Sequence, residues 1–423
     1  MKKVFIYFVI ALVSVGIIGT AFYLFAQSNN QSSETGQTGS LPTTAGIGTA
    51  FNQNGSSPSS SIFNSSASSA SAKSLTISTP NISVLDYFVS NNVTIVVSPD
   101  GTIATITNNN ADNISSSKIK NIISTGFSYD GTKILINFGD RQSPQTSIFD
   151  MKTKTWTPLV VGMISPQWSP SDYRIMYLKN NSNGTEALTT LDASKTKNNV
   201  VIVTTLHVQD LSLLWRTKND VLLYDNPSVY SFGSIWSFNL QKKSLNPVIN
   251  DQRGMEALWS TATTTIGLLF TGDSSQYGGS LRFIDESGSI LQRFGFLTMP
   301  GKCLFSQYNA TPSTVATNTS LARPATSTTS LPATTASSSS YLALYCGVPR
   351  DQNMISSARL PDDYEQMSFF TSDNIYRINT SNGSVTTLFN DQNQTMDVSR
   401  IKVFNNALFF VNRYDQKLYS IKL

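Results

Sequence analysis

Residues 126–138 read GFSYDGTKILINF. An aromatic residue, Phe127, is followed by a tight turn at Asp130-Gly131 and then by an apolar run. Asp and Gly favour turns for separate reasons: Asp bonds the backbone two residues on, and Gly tolerates positive φ. The run rich in β-branched residues reads as a strand. The stretch is therefore a hairpin with an aromatic residue at its base. Whether it is one hairpin or one of a series decides the fold.

It is one of a series. PQWSPSDYRIMYL (166–178), LLWRTKNDVLLY (213–224), ALWSTATTTIGLLF (257–270) and KVFNNALFFV (402–411) repeat the plan, and the surroundings of Phe305 do so less tightly. The aromatic anchors Phe127, Trp168, Trp215, Trp259 and Phe305 recur every 41–47 residues. A second unit follows each anchor: Phe149-Asp150, Leu191-Asp192, Phe238-Asn239, Ile284-Asp285 and Ile378-Asn379. Each reads as the end of a strand opening a polar turn. One repeat is thus four strands, a to d, with the anchor at the end of strand a. Four-stranded units of this length are the signature of a β-propeller. The anchors are expected to pack between neighbouring blades, where an aromatic ring covers much area at low entropic cost.

Six anchors, the last being Phe404, predict an all-β fold with six blades. Seven are possible if residues 85–107 form more than one completing strand. The chain ends on KLYSIKL (417–423), which reads as strand c. A strand from 85–126 is expected to complete the last blade and remove its open edge.

The turns Phe127-Ser128-Tyr129-Asp130-Gly131 and Trp168-Ser169-Pro170-Ser171-Asp172, with Ser98-Pro99-Asp100-Gly101, resemble the WD40-like PD40 repeats of TolB-type propellers. The resemblance spans about residues 85–423 and implies the propeller fold. The overall layout also looks like that of bacterial single-pass, membrane-anchored propeller proteins. It implies a location and carries no activity.

That layout starts with Val4–Ala26, an uncharged run preceded by Lys2 and Lys3. About twenty apolar residues suffice for a helix to cross a bilayer. The lysines place its start in the cytoplasm and the remainder of the chain outside. Residues 1–26 are expected to be a transmembrane signal anchor, with a cleaved signal peptide as the alternative. Residues 27–80 are nearly all Ser, Thr, Asn, Gln, Gly and Ala, and are expected to be a disordered linker. The propeller is assigned to 81–423, interrupted by a Ser/Thr/Pro-rich insertion at 307–340. The expected location is the cell membrane, with the propeller extracytoplasmic and monomeric.

Charged residues make up 13% of the chain and the net charge is +4. This is no basic field for nucleic acid. One His and two Cys exclude a zinc site of the usual kinds. His207 with Asp210 lacks a nucleophile context. Ser115 and Lys118 match Ser-x-x-Lys only as a Ser-rich chain does by chance. No catalytic, metal or cofactor residues are assigned.

In a propeller the b–c and d–a connections share one face. There the chain concentrates charge: the loop 349–373 carries Arg350, Arg359, Asp362, Asp363, Tyr364 and Glu365. Tyr230 and Phe232 belong to the corresponding loop of the Trp215 blade, and Tyr277 to that of the Trp259 blade. Arginines and aromatics on one loop-rich face fit a surface for an envelope protein or glycan. The plainer alternative is that the rings cap blades and the charges are solvated. A carboxylate-dependent glycan hydrolase or lyase using Asp362, Asp363 and Glu365 is the enzymatic alternative, and a structural spacer is a third.

Cys303 sits two residues before its anchor, as Thr125 does before Phe127, and Cys346 lies on the following strand b. The two face each other across a hairpin whose turn is replaced by the insertion. Outside the cytoplasm such a pair oxidises. A Cys303–Cys346 disulfide is expected at the base of the insertion, on the face opposite the binding loops. A pair of buried free thiols is the alternative.

Overall fold

The computed structural model describes residues 74–423, apart from 80, 91–92, 109, 196–199, 226–227, 262–264, 274 and 310–339. The expected transmembrane segment, nearly all of the expected linker and most of the expected insertion lie outside the described residues. Among the described residues no helix is long and apolar enough to cross a membrane.

The described residues form seven four-stranded antiparallel sheets. The first strand, β1 (Leu75–Ile77), belongs to the last sheet. Blade 1 is β2–β5 (Asp86–Ser90, Val93–Val97, Ile103–Thr107, Asn110–Ser115). Blade 2 is β6–β9 (Ile122–Phe127, Lys133–Asp140, Ser143–Asp150, Thr155–Pro158). Blade 3 is β10–β13 (Ile164–Trp168, Arg174–Asn180, Glu186–Asp192, Val200–Leu206). Blade 4 is β14–β17 (Leu211–Thr217, Asp220–Asp225, Phe232–Asn239, Ser244–Arg253). Blade 5 is β18–β21 (Glu256–Trp259, Gly267–Gly272, Gly279–Ile284, Ile290–Arg293). Blade 6 is β22–β25 (Cys303–Asn309, Ser340–Pro349, Asp373–Asn379, Val385–Phe389). Blade 7 is β26–β28 (Val398–Phe404, Ala407–Asn412, Leu418–Lys422) with β1 outermost.

Blade number is therefore seven, the alternative that residues 85–107 left open, rather than six. Residues 86–115 form a complete blade whose inner strand carries Phe88, one repeat before Phe127. Closure by an N-terminal strand is as expected, but the strand comes from inside the presumed linker. Leu75, Thr76 and Ile77 pair with Ile421, Ser420 and Tyr419. The turn Ser98–Gly101 joins strands b and c of blade 1, so it is out of register with the a–b turns of blades 2 and 3.

The central strands of each blade are buried on both sides by neighbouring blades. Their apolar residues therefore run on without alternation, as in β11 (burial of Ile175–Leu178) and β19 (Gly267–Thr271). Trp168, Trp215, Trp259 and Phe305 are 5–8% exposed and lie between blades as expected. The Trp168 indole N–H donates across the junction to the Gly126 carbonyl at 3.1 Å. Cations of one blade stack on rings of the next: Lys133 over Tyr173, Arg174 over Trp215 and Arg216 over Trp259, at 5.2–5.5 Å. The c–d turns are those read from sequence. The side-chain oxygens of Asp150, Asp192, Asn239, Asp285 and Asn379 each accept from the backbone N–H two residues on, at 2.8–3.1 Å.

The disulfide is present, with Cα atoms 4.2 Å apart. Its place differs from expectation. Cys303↔Cys346 is the first pair of the β22–β23 ladder and Asn309↔Ser340 the last. The tight turn of blade 2 ends its ladder at the anchor pair Phe127↔Ile134, whereas blade 6 continues past Phe305↔Leu344. The rings of Tyr308 and Tyr341, 5.2 Å apart, stabilise that extension. The bond therefore lies at the loop-face end of the hairpin, away from the insertion.

Candidate functional site

The loop face is dominated by the connection between β23 and β24. Asp351 caps the short helix α1 (Gln352–Ser356), accepting from the N–H groups of Asn353 and Met354. A second turn of helix, α2 (Asp362–Glu365), follows. Ile355, Ala358 and Leu360 are buried in the core shared by blades 5 and 6. Full burial of one such aliphatic side chain contributes about 1.5–3 kcal/mol. The segment crosses blade 5 at backbone distance. Gly254 (φ +49°) and Gly278 (φ +62°) lie beneath it, and a Cβ there would meet the carbonyl oxygens of Leu360 at 2.6 Å and Ser356 at 2.9 Å. It then reaches blade 4, where an Asp362 carboxylate oxygen accepts from the Val229 N–H at 2.6 Å.

This path sorts the expected binding residues into two groups. Arg350, Asp362, Asp363 and Tyr364 hold the loop itself. The Arg350 guanidinium donates to Asn374 Oδ1 at 3.0 Å and to the carbonyls of Asp391 (2.6 Å) and Gln394 (3.1 Å). Asp363 accepts from the Arg359 N–H at 2.9 Å. Tyr364 lies between Lys302 and Arg413, whose guanidinium is 3.8 Å above its ring.

The second group points outward. Tyr230 (52% exposed), Phe232 (60%) and Tyr277 (55%) present rings to solvent. Arg359 donates to the Tyr230 hydroxyl at 3.0 Å, and Arg253 lies 4.4 Å above Phe232. Met354, Met367 and Tyr414 extend this surface and were not singled out in the sequence.

Two electrostatic features beneath the loop had no sequence signal. The first is an ion quartet. Lys302 is fully buried, with its ammonium 2.7 Å from Asp373 and 2.6 Å from Asp397 and bonded also to Thr371. Arg413 lies 2.8 Å from the other Asp397 oxygen and donates to the carbonyls of Tyr364 and Phe369. Two cations and two carboxylates balance. Burial opposes the charge on Lys302, but Asp373 and Asp397 hold its pKa above the ordinary lysine value.

The second feature is Glu256, half-buried at the start of the inner strand of blade 5. Burial, and then Glu365, push its carboxyl up to about 7, against a 2.5 Å hydrogen bond from the Gly301 N–H. Glu365 is also held above the ordinary carboxylate value, by desolvation and then Asp362, with Arg141 opposing.

A raised folded pKa means that the folded state binds the extra proton. The stabilisation is complete below the unfolded value near 4.5 and is lost as pH rises towards 7. Glu256→Gln keeps an acceptor for Gly301. The variant is expected to gain roughly 1–3 kcal/mol over the parent at pH 8 and little at pH 4.5. Denaturant unfolding of both proteins at the two pH values checks this; a pH-independent difference contradicts it.

No family model matches the chain, and no curated protein sequence is significantly similar to it. Among solved structures, the oligogalacturonate lyase of Vibrio parahaemolyticus is similar with a TM-score of 0.50 and 9% identity, over 84% of this chain and 95% of that one. The β-propeller domain of the Trilobed protease from Pyrococcus furiosus gives 0.46 and 10%, over 81% and 93%. TolB from Acinetobacter baumannii gives 0.38 and 12%, over 69% and 64%. At these identities the likeness is one of fold. The chain is a seven-bladed β-propeller closed by an N-terminal strand.

Proposed function

We propose that this chain is a membrane-anchored, extracytoplasmic propeller that binds a protein or glycan of the cell envelope through its loop face. The observation that carries the reading is the set of exposed rings and thioethers there: Tyr230, Phe232, Tyr277, Met354, Met367 and Tyr414. Aromatic and Met side chains are enriched where surfaces bind, and the rigid loop beneath them lowers the ordering cost on association. Lys2, Lys3 and the apolar run 4–26 support the anchor, and the disulfide fits an oxidising compartment.

The enzymatic alternative has less support. Asp362 and Asp363 are engaged by backbone N–H groups, which leaves Glu365, close enough to Glu256 to raise the pKa of that carboxyl.

The test is photocrosslinking of the full-length protein in its own cells. A photoreactive residue at Tyr230 or Tyr277 is expected to give a discrete adduct. The same residue at the exposed Lys218, on the a–b turn of blade 4, is expected to give none. Equal labelling from all three positions, or none from any, rejects the loop face as the binding surface.

A further inference from the structure

A cavity of about 480 Å³ lies between the inner strands of blades 7, 1 and 2, beside the Ser128-Tyr129 turn. Its size is within the range of small-molecule sites, ~300–1,000 Å³. Its lining sets charged and hydroxyl side chains, among them Asp86, Arg400 and Lys402, beside the rings of Phe88, Phe127 and Phe404. Phe88 is the hub: its ring is 5.7 Å from Phe127, stacked, and 5.1 Å from Phe404, edge-on. Above the rings lie Asp86, Arg400 and Lys402.

Two of these charges satisfy each other. Lys402 Nζ is 2.7 Å from Asp86 Oδ1 and donates to the Tyr87 carbonyl at 2.7 Å. The Thr125 hydroxyl donates to the second Asp86 oxygen at 3.0 Å. Burial pushes the Asp86 carboxyl up, but Lys402 and then Arg400 more than offset it. Asp86 is therefore a carboxylate that Lys402 already neutralises.

Arg400 is the charge left over. Arg400 is exposed and makes no hydrogen bond or ion pair among the described residues, while its charge acts on Asp86 through space. Its backbone is held in an unusual state. It has φ +50°, at a bulge where the β26–β27 register shifts between Ser399 and Lys402. The Tyr87 hydroxyl fixes that bulge by donating to the Arg400 carbonyl at 2.7 Å. Left-handed φ favours Gly or Asn and is strained at other residues. Bulges often serve to re-aim a side chain. Here the bulge carries a cationic residue that lines the same cavity as three phenylalanines.

We propose that this cavity is a second binding site, for a small monocarboxylate with an aromatic body: Arg400 takes the carboxylate, and Phe88, Phe127 and Phe404 take the ring. One unspent positive charge matches one negative charge, and the adjoining Asp86 disfavours a dianion. The phenylalanines offer no hydrogen bonds, so the body of the ligand is apolar. The site is separate from the loop face and stands whether or not that face binds a partner.

Calorimetric titration of the full-length protein with benzoate, acetate and benzamide tests the assignment. Benzoate is expected to bind near the millimolar range, with acetate, which lacks the ring, and benzamide, which lacks the charge, at least about tenfold weaker. Arg400→Asn removes the guanidinium while placing a residue that accepts left-handed φ. The variant is expected to keep or raise the melting temperature and to weaken benzoate at least about tenfold. Lys218→Ala, on the a–b turn of blade 4, is expected to leave benzoate binding unchanged. Benzamide binding as tightly as benzoate, an Arg400→Asn protein binding as well as the parent, or no benzoate binding to the parent overturns the proposal.

Discussion

Replacing Lys302 with methionine is expected to destabilise the protein by about 3–5 kcal/mol, the cost of leaving a buried charge without its partner. Methionine nearly matches the lysine stem in volume, so little of the loss is packing. What remains is two fully buried carboxylates, Asp373 and Asp397, facing one guanidinium. The loss is a large fraction of the roughly 5–15 kcal/mol that holds an ordinary domain folded. Restoring the charge balance is the control. Asp373→Asn added to Lys302→Met is expected to recover part of the loss, because neutral Asn still accepts from the Val398 N–H that Asp373 now binds at 2.8 Å. Denaturant unfolding of the two variants, compared with the parent and Asp373→Asn, measures the coupling. A loss below about 1 kcal/mol in Lys302→Met contradicts an ionised, mutually compensating quartet. The effect extends to the loop face. Arg413 grips the carbonyls of Tyr364 and Phe369, so a disturbed quartet loosens the loop that carries Met354, Arg359 and Met367. Limited proteolysis is therefore expected to cut within 350–372 before it cuts elsewhere in the variant.

The period was readable because blade junctions need a large ring at one place, and Trp and Phe are conspicuous in a Ser/Thr-rich chain. Blade 1 was harder to see. Its anchor is Phe88 within DYFVS, its strands are short, and its Ser-Pro-Asp-Gly turn falls between strands b and c. The closing strand was harder still. Three residues, LTI, stand at the end of a polar tract, and it is pairing with β28 that makes them a strand. The candidate site was legible as a concentration of charge at 350–365. Its division into residues that hold the loop and residues that face outward was not. That division depends on where the loop lands, on Val229 of blade 4, above Gly254 between blades 4 and 5 and above Gly278 of blade 5, and these contacts join residues far apart in sequence. Lys302 shows the limit clearly: in MPGKC it looks like any surface lysine, and only the junction of blades 6 and 7 buries it.

The Cys303–Cys346 bond is expected to contribute about 4 kcal/mol, from loop closure over a sequence separation of 43 residues. Cys303→Ala with Cys346→Ala, compared with the parent by denaturant unfolding, measures that contribution. The position of the bond predicts where the loss is felt. A staple at the base of the insertion would tie Asn309 to Ser340, and its removal would fray that end of the hairpin. The actual bond ties the opposite end, next to Lys302 and three residues before Pro349, where the long β23–β24 connection departs. Its removal is therefore expected to raise hydrogen exchange at Cys303–Phe305 and around Thr371 and Asp397 more than at Gln307–Asn309. The reverse pattern contradicts a role in holding the loop face. The cysteine pair and the quartet share a backbone step, so their effects should not be independent. Adding Lys302→Met to the double-alanine variant is expected to destabilise it by less than Lys302→Met destabilises the parent, because the site is already loosened. In intact cells both thiols are expected to resist maleimide until a reductant is added. Labelling without reductant contradicts both the bond and the extracytoplasmic location, since an oxidised pair does not persist in a reducing cytosol.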